Sequence, residues 1–266
     1  MGPVVLKVGG EVLDSPSGRQ ALWQGIRRWR DRAPLLLVHG GGAQATALAR
    51  ALGHEPRFVE GRRLTTELDL RIVLWTLCGE LNRRLVAEAL TYGLPAVGLC
   101  GADGGMVRVV RRPPRWIEGR WVDFGYVGDI RAVKPELLRT LLEQAYLPIV
   151  APLGIDEQGA IYNVNADTVA LELALALRAE ALLWLTPSGG VWDASGRTLE
   201  TLSVEDARRG LQEGWIRDGM RPKIETALRA SARGVRVWIG SPETLDTLNR
   251  GTWIGSSPTA AESPRP

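Results

Sequence analysis

Residues 34–53 read PLLLVHGGGAQATALARALG and hold the pattern that decides the fold. A short apolar run, three glycines and an alanine-rich segment with helical spacing predict a buried strand, a tight turn and a helix. Further apolar runs, several of them followed by segments with helical spacing, begin at Val4, Pro95, Leu147, Ala181 and Arg236. Because this alternation is typical of βαβ units, we predict an α/β protein with a mostly parallel sheet.

The composition of the 266-residue chain is that of a soluble globular protein, with 45% hydrophobic and 24% charged residues. The net charge is +3 without a basic block interleaved with aromatic residues, so we expect small anionic partners and no nucleic acid. Cys78 and Cys100 lack metal-ligand spacing, and we expect no protein metal site. The sequence shows neither a signal peptide nor a run of roughly 18 apolar residues, which predicts a cytoplasmic protein with no membrane partner.

Lysine is rare in this chain. Lysine and arginine together number 33, yet only Lys7, Lys134 and Lys223 are lysines. A planar guanidinium cannot replace a compact ammonium where the geometry requires the ammonium. We therefore expect specific roles for Lys7, which lies inside an apolar run just before two glycines, and for Lys223, whereas Lys134 is expected on a solvated surface.

Glycine-rich segments follow three of the apolar runs, at 9–10, 40–42 and 188–190. In parallel sheets the ligand site gathers at the carboxyl ends of the strands. Glycine allows the backbone to approach a ligand closely, and helix N-termini favour anions. We expect an anion site at this edge of the sheet, although any one of these segments alone is also explained by a tight turn.

Seven motifs occur along the chain in this order: LKVGG at 6–10, LLVHGGG at 36–42, EGRRLT at 60–65, DFGYVGDI at 123–130, LPIVAPLG at 147–154, NVNADT at 163–168 and IRDGMRPKIETA at 216–227. On these motifs the chain resembles the amino acid kinase family, most closely its N-acetylglutamate kinases. The resemblance implies a three-layer α/β/α sandwich of the carbamate kinase-like type, with a mostly parallel central sheet and two lobes. Residues 1–153 are expected to bind the acceptor and to dimerise, 154–254 to bind ATP, and 255–266 to form a disordered tail.

The activity implied by the resemblance is phosphoryl transfer from ATP, accompanied by Mg²⁺, to the side-chain carboxylate of N-acetyl-L-glutamate in arginine biosynthesis. Lys7 and Lys223 match the two family lysines that contact the phosphates, beside Gly9 and Gly10. Asp167 matches the aspartate that holds both lysines in place. An N-cap for the helix that follows is a second possible role of Asp167, since aspartate is a favoured cap.

The acceptor side of the site is implied by four matching residues. Arg63 matches the arginine that grips the substrate α-carboxylate, and Asn163 matches the asparagine that binds the acylated amino acid. Gly41 and Gly42 match the substrate-binding glycines. The neighbouring Arg62 leaves the arginine assignment open by one residue.

The nucleotide side is implied by five residues that match nucleotide-binding positions of the family: Thr186, Ser188, Gly189, Ile216 and Arg217. Family members commonly carry an aspartate in the first of these loops, where this chain reads LTPSGGVWD from Leu185. Asp193 is a possible partial substitute for that aspartate. Arginine-inhibited relatives carry an additional N-terminal helix, and its lack here predicts a homodimer without that feedback.

Three alternative functions stay open at the level of sequence. A related kinase acts on aminoadipate, in one version on a substrate tethered to a small acidic carrier protein, although this chain has GYVGDI and NVNAD where such relatives show GYTG-like and TDGD-like motifs. Carbamate or aspartate is another conceivable acceptor. A non-catalytic nucleotide-binding regulatory or storage protein is the alternative of a different class.

Overall fold

The computed structural model describes residues 2–217 and 219–255. Apart from Gly255, the predicted tail at 255–266 lies outside the described residues. The strands are β1 (Val4–Val8), β2 (Leu35–His39), β3 (Phe58–Val59), β4 (Arg62–Arg63), β5 (Ala96–Cys100), β6 (Val107–Arg111), β7 (Arg115–Ile117), β8 (Arg120–Val122), β9 (Gly128–Val133), β10 (Leu147–Ala151), β11 (Leu153–Ile155), β12 (Ile161–Asn163), β13 (Ala181–Leu185), β14 (Thr201–Leu202), β15 (Arg236–Gly240) and β16 (Gly251–Ile254).

The α-helices are α1 (Gly10–Asp14), α2 (Pro16–Trp29), α3 (Gly42–Ala51), α4 (Glu67–Val73), α5 (Asn82–Thr91), α6 (Glu136–Glu143), α7 (Ala166–Leu177), α8 (Val204–Glu213) and α9 (Met220–Ser231). A π-helical segment, Leu74–Leu81, joins α4 to α5 without a break. Short 3-10 turns lie at Asp103–Gly105 and Pro242–Thr244.

The main sheet has the strand order β14-β16-β15-β13-β1-β2-β10-β5. Its neighbouring strands are parallel except β15 and β16, which are antiparallel. The first strand therefore lies in the interior of the sheet, between β2 and β13. The prediction of a mostly parallel sheet is confirmed.

Alternate residues of the strands face two separate cores. Val5 and Leu182 belong to a core that includes Leu171 of α7, on one side of the sheet. Leu6 belongs to a second core that includes Trp23 of α2, on the other side. Side chains alternate across a strand, so helices cover both faces of the sheet. This arrangement confirms the three-layer α/β/α sandwich.

A second sheet, of order β12-β11-β6-β9, and two hairpins lie outside the main sheet. The β3–β4 hairpin packs against the β7–β8 hairpin through Val59 and Leu64 on one side and Ile117 and Val122 on the other. The predicted boundary between residues 153 and 154 falls inside β11 and stays a prediction. In the two described ranges of the chain, no helix is long and apolar enough to cross a membrane.

A buried histidine ties the end of β2 to α5. Nδ1 of His39 lies 2.7 Å from the carbonyl oxygen of Gly40, and Nε2 lies 3.1 Å from Nδ2 of Asn82. A neutral ring that donates from Nδ1 and accepts at Nε2 satisfies both contacts. Asn82 also donates to the carbonyl oxygen of Ile149 in β10, at 2.9 Å. His39 therefore orients the glycine loop that follows β2.

Burial lowers the pKa of His39 from 6.5 to about 4, although the hydrogen bond to Gly40 acts in the opposite direction. In the unfolded chain the ring takes up a proton near pH 6.5, so the stability contributed by the neutral form is complete above that pH and is lost as the pH falls toward 4. We expect the free energy of unfolding to drop by about 1.4 kcal/mol per pH unit over this interval.

Denaturant unfolding between pH 7 and pH 5 measures this slope. In His39→Gln we expect the slope to become markedly flatter, whatever the absolute stability of the variant. The matched control is His54→Gln, which removes the other histidine and leaves His39 in place. An unchanged slope in His39→Gln would show that this ring is not the group that titrates.

Candidate active site

Two of the predicted glycine-rich segments meet at the carboxyl edge of the main sheet. Val8 of β1 is paired with His39 of β2, so the segments at 9–10 and 40–42 begin side by side. A Cβ atom built on Gly40 would lie 3.6 Å from the backbone nitrogen of Gly10. The two glycine segments therefore lie in contact with one another at this edge.

Lys7 extends from β1 to helix α7. Its Nζ lies 2.9 Å from Oδ1 of Asp167, in an ion pair that lacks hydrogen-bond alignment. Both side chains are largely buried, with 9% and 14% of their surfaces exposed. The N-cap of α7 is Asn165, which accepts from the backbone nitrogen of Thr168 at 3.0 Å. The N-cap role considered for Asp167 is therefore wrong, since Asp167 is the second residue of the helix and its carboxylate faces Lys7.

Lys223, in the first turn of α9, belongs to the same cluster. Its Nζ donates to the carbonyl oxygen of Gly219 at 2.9 Å. Burial lowers the pKa of Lys223, and the charge of Lys7 lowers it further, whereas Asp167 and Glu11 raise it. The fold thus brings together two ammonium groups and two carboxylates from β1, α1, α7 and α9. Sequence reasoning missed Glu11, because its only local signal is its place next to Gly10.

A cavity of about 240 Å³ lies on one side of this cluster. Its walls include the predicted residues Gly41, Gly42, Arg63 and Asn163. Asn163 ends β12, and its Nδ2 donates to Oγ1 of Thr65 at 3.3 Å. The four residues predicted for the acceptor therefore share one cavity, which we call the acceptor-side cavity.

Arg63 is held rigidly at the wall of the acceptor-side cavity. Its Nη2 donates to Oγ1 of Thr46 at 2.6 Å and to the carbonyl oxygen of Gly42 at 3.2 Å. The guanidinium lies over the Phe58 ring, 4.9 Å from the centroid, and its Nη1 is 3.8 Å from Oδ1 of Asp69. Arg63 is only 9% exposed, so its orientation is fixed before any ligand arrives.

Two further arginines line the same cavity. Arg62 is exposed and also contributes to the wall, so both members of the pair face the acceptor-side cavity. Arg112 is buried, and its Nε and Nη2 donate to Oδ1 of Asp129 at 2.8 and 2.7 Å. Sequence reasoning missed Arg112 because it lies within the arginine-rich stretch 108–120, where no single arginine stands out.

Gly41 shows why the glycine segment at 40–42 is required. Its φ of +154° lies in the region that favours glycine. A Cβ atom at this position would lie 2.9 Å from Cδ2 of Leu81 and 3.0 Å from Cδ1 of Leu77. The π-helical segment thus presses directly on the glycine turn, and the N-terminus of α3 opens toward the acceptor-side cavity.

A second cavity, of about 720 Å³, has members of the charged cluster in its wall, and we call it the nucleotide-side cavity. Its lining includes Lys223 and Glu11 and the predicted residues Thr186, Ser188, Ile216 and Arg217. Of the described residues predicted for phosphate or ATP, Gly9, Gly10 and Gly189 form no part of the wall of either cavity. Gly190, which follows Gly189, lines the nucleotide-side cavity.

The loop after β13 is closed by its own hydrogen bonds. Oδ1 of Asp193 accepts from the backbone nitrogen of Ser195 at 2.8 Å, from its Oγ at 2.6 Å and from the backbone nitrogen of Arg197 at 3.0 Å. These bonds lower the pKa of Asp193 to about 2. The carboxylate stabilises its own turn, so its oxygens are not free to replace the missing family aspartate. In residues 2–217 and 219–255, no group of three or more His, Cys, Asp or Glu side chains forms a metal-ligand cluster.

Comparison with known proteins places these features in a family. A model of the amino acid kinase family matches residues 2–241. An acetylglutamate kinase from Methanopyrus kandleri is 42% identical over 235 residues, covering 87% of this chain and 92% of the relative. Another from Anaeromyxobacter dehalogenans is 41% identical over 278 residues, covering 98% and 100%.

Among solved structures, N-acetylglutamate synthase from Neisseria gonorrhoeae, complexed with coenzyme A and N-acetyl-glutamate, is similar with a TM-score of 0.82 at 27% identity. That match covers 96% of this chain and 60% of the synthase chain. The family match extends over most of the sequence and includes every element that builds the two cavities. The chain belongs to the amino acid kinase family.

Proposed function

We propose that the protein transfers the γ-phosphoryl group of ATP to the side-chain carboxylate of N-acetyl-L-glutamate, a step of arginine biosynthesis, in the cytoplasm. The observation that carries this proposal is the cluster of Lys7, Asp167 and Lys223. Lys223 lines the nucleotide-side cavity, and Ala166, next to Asp167, lines the acceptor-side cavity. The relatives named acetylglutamate kinase, 41 and 42% identical over nearly their whole length, support the choice of acceptor. No relative described above supports the aminoadipate or the non-catalytic alternative.

The proposed chemistry needs positive charge and no catalytic base. The acceptor carboxylate is already ionised at neutral pH, so the protein has to position the reactants and stabilise charge on the transferring phosphoryl group. We assign that stabilisation to the ammonium groups of Lys7 and Lys223. Asp167 keeps the two like charges together, because its carboxylate attracts both of them.

The acceptor-side cavity fits an acylated amino acid. Arg63 offers a fixed guanidinium for the α-carboxylate, and a planar fork is well suited to a carboxylate. We assign Asn163 to binding of the acylated amino group and the backbone of Gly41 and Gly42 to binding of the substrate. Arg62 and Arg112 add positive charge at the same wall, which favours an anionic acceptor.

The nucleotide-side cavity is assigned to ATP, with Mg²⁺ carried on the triphosphate. Its volume of about 720 Å³ is in the range of roughly 300–1,000 Å³ that is usual for ligand sites. We assign Gly9 and Gly10 to the phosphates. We also assign to the nucleotide the following residues: Thr186, Ser188, Gly189, Ile216 and Arg217.

We further propose two lobes that close on one another and a homodimer. Residues 1–153 would hold the acceptor, with Asn163 contributed from the other lobe, and 154–254 would hold the nucleotide, with Gly9 and Gly10 contributed from the first. Lys7 and Lys223 would then approach the same phosphoryl group from different lobes. Closure would exclude water and limit wasteful hydrolysis of ATP. The continuous helix over 67–91 exposes Leu68, Trp75 and Leu90, which are 42, 53 and 55% exposed and offer an apolar surface for a second copy.

The proposed function is tested by incubating the purified protein with ATP and Mg²⁺ and trapping acyl phosphate with hydroxylamine. We expect the product with N-acetylglutamate. N-acetylaminoadipate, aspartate and carbamate serve as the competing acceptors. Preferential use of any of these three, or no turnover with all four, would overturn the choice of acceptor.

Lys223→Arg is expected to lower kcat by about 100-fold or more while the protein remains folded, because a guanidinium cannot copy the half-buried ammonium. Steady-state kinetics and circular dichroism measure the two properties. The matched control is Lys134→Arg, at an exposed lysine outside both cavities, for which we expect unchanged kinetics. Near-normal turnover of Lys223→Arg would contradict the inference that the rarity of lysine in this chain indicates a specific role for Lys223.

Arg63→Ala is expected to raise the acceptor KM by about 10- to 1,000-fold, since a charge-assisted contact is lost, and to leave the KM for ATP nearly unchanged. Arg62→Ala is the matched variant, for which we expect a smaller rise. A larger effect in Arg62→Ala would shift the assignment by one residue. If Arg63→Ala raises only the KM for ATP, the cavity that contains Arg63 binds the nucleotide and the other cavity binds the acceptor.

Trp75→Glu is expected to convert the dimer to a monomer at micromolar concentration, because a charge is introduced into the proposed apolar contact. Sedimentation velocity measures the change in mass. Trp116→Glu, at the 61% exposed tryptophan of the β7–β8 hairpin, is the control and should remain dimeric. If the unaltered protein is a monomer, or if only the hairpin variant dissociates, helix 67–91 is not the interface.

A further inference from the structure

Trp192 is an exposed aromatic side chain in the wall of a deep cavity. It is 53% exposed, whereas Trp184 and Trp238 of the neighbouring strands are fully buried. The cavity is the nucleotide-side one, which Trp192 shares with Lys223 and Ser188. A large apolar surface left open inside a cavity indicates a site for an apolar or aromatic ligand group.

The backbone on both sides of Trp192 is fixed. Trp192 forms an antiparallel bridge with Thr198, and the backbone nitrogen of Val191 donates to Oγ1 of Thr252 at 2.8 Å. On the other side, Asp193 closes the turn that follows. The indole is therefore carried on an ordered segment, and little entropy is lost when a ligand packs against it.

The indole of Trp192 is also available for contact. Within residues 2–217 and 219–255, no ring contact and no cation–π contact involves it. Trp215, the other tryptophan of this cavity, is already used in packing. A Cβ atom on Gly210 of α8 would lie only 2.5 Å from Cζ2 of Trp215, so this indole lies directly against the helix.

The wall of the nucleotide-side cavity contains both polar and apolar side chains. Charge and hydroxyl groups are supplied by Lys223 and Ser188, which suit phosphate oxygens. Apolar surface is supplied by Trp192 and the partly buried Met220. A nucleotide has the same division, between an anionic phosphate chain and a flat aromatic base.

We propose that the indole of Trp192 forms the stacking platform for the adenine base of ATP. This inference rests on the proposed function only in that the cavity is assigned to a nucleotide. Every base has a flat aromatic face, so the platform holds the base without selecting it by hydrogen bonds. It supplies binding affinity at the end of the nucleotide remote from the chemistry.

Isothermal titration calorimetry tests the proposal with ADP and Mg²⁺ and with inorganic tripolyphosphate, which has no base. We expect Trp192→Ala to raise the Kd of ADP by roughly 30-fold, the middle of the range for loss of one stacked base. The Kd of tripolyphosphate should stay unchanged. Trp192→Phe should recover most of the ADP affinity, because a phenyl ring also stacks. Trp121→Ala, at the 69% exposed tryptophan of β8, is the control and should bind ADP normally.

The outcomes separate the platform from the proposed function. If Trp192→Ala binds ADP as tightly as the unaltered protein, or loses tripolyphosphate binding to the same degree, the platform is refuted while the nucleotide site stands. If the unaltered protein binds no ADP, both the platform and the assignment of the cavity are refuted. No acceptor is present in the titration, so an incorrect choice of acceptor does not affect the result.

Discussion

The ion pair between Lys7 and Asp167 is the constraint around which the rest of the site is arranged. A buried ion pair is expensive, because two charges lose their water, and replacing such a pair by apolar residues often leaves a fold equally stable. The strand and the helix it joins already have extensive apolar cores on both faces of the sheet. The presence of this ion pair in the middle of the sheet is therefore better explained by the charge that it presents than by the stability that it adds.

The wall residues relate the charged cluster to the two cavities. Lys7 is the strand residue two positions before the glycine segment at 9–10, and Asp167 is the second residue of α7. Ala166, next to Asp167, lines the acceptor-side cavity, and Lys223 lines the nucleotide-side cavity. Under the proposed function, acceptor and nucleotide would approach a single charged cluster along two different walls.

Much of this arrangement could be predicted because it depends on local patterns. Residues 34–53 form a strand, a glycine turn and a helix as predicted, since the apolar run and the glycines each favour one local structure. The second sheet could not be predicted, because strands such as β11 and β12 have three residues each and show no periodicity. Glu11 was missed for a different reason: its importance depends on Lys223, which comes from the far end of the chain and approaches it only in the folded protein.

The π-helical segment at Leu74–Leu81 has a consequence for comparing this chain with its relatives. A π-helical turn holds more residues than an α-helical turn, and it lets a helix accommodate an extra residue without moving the helical turns before and after it. A relative that is one residue shorter between α4 and α5 can therefore keep both helices in place. An alignment of the two sequences would then show a gap in the middle of an apolar helix, next to the side chains that press on Gly41. Such a gap would mark a true difference in length and not an error of alignment.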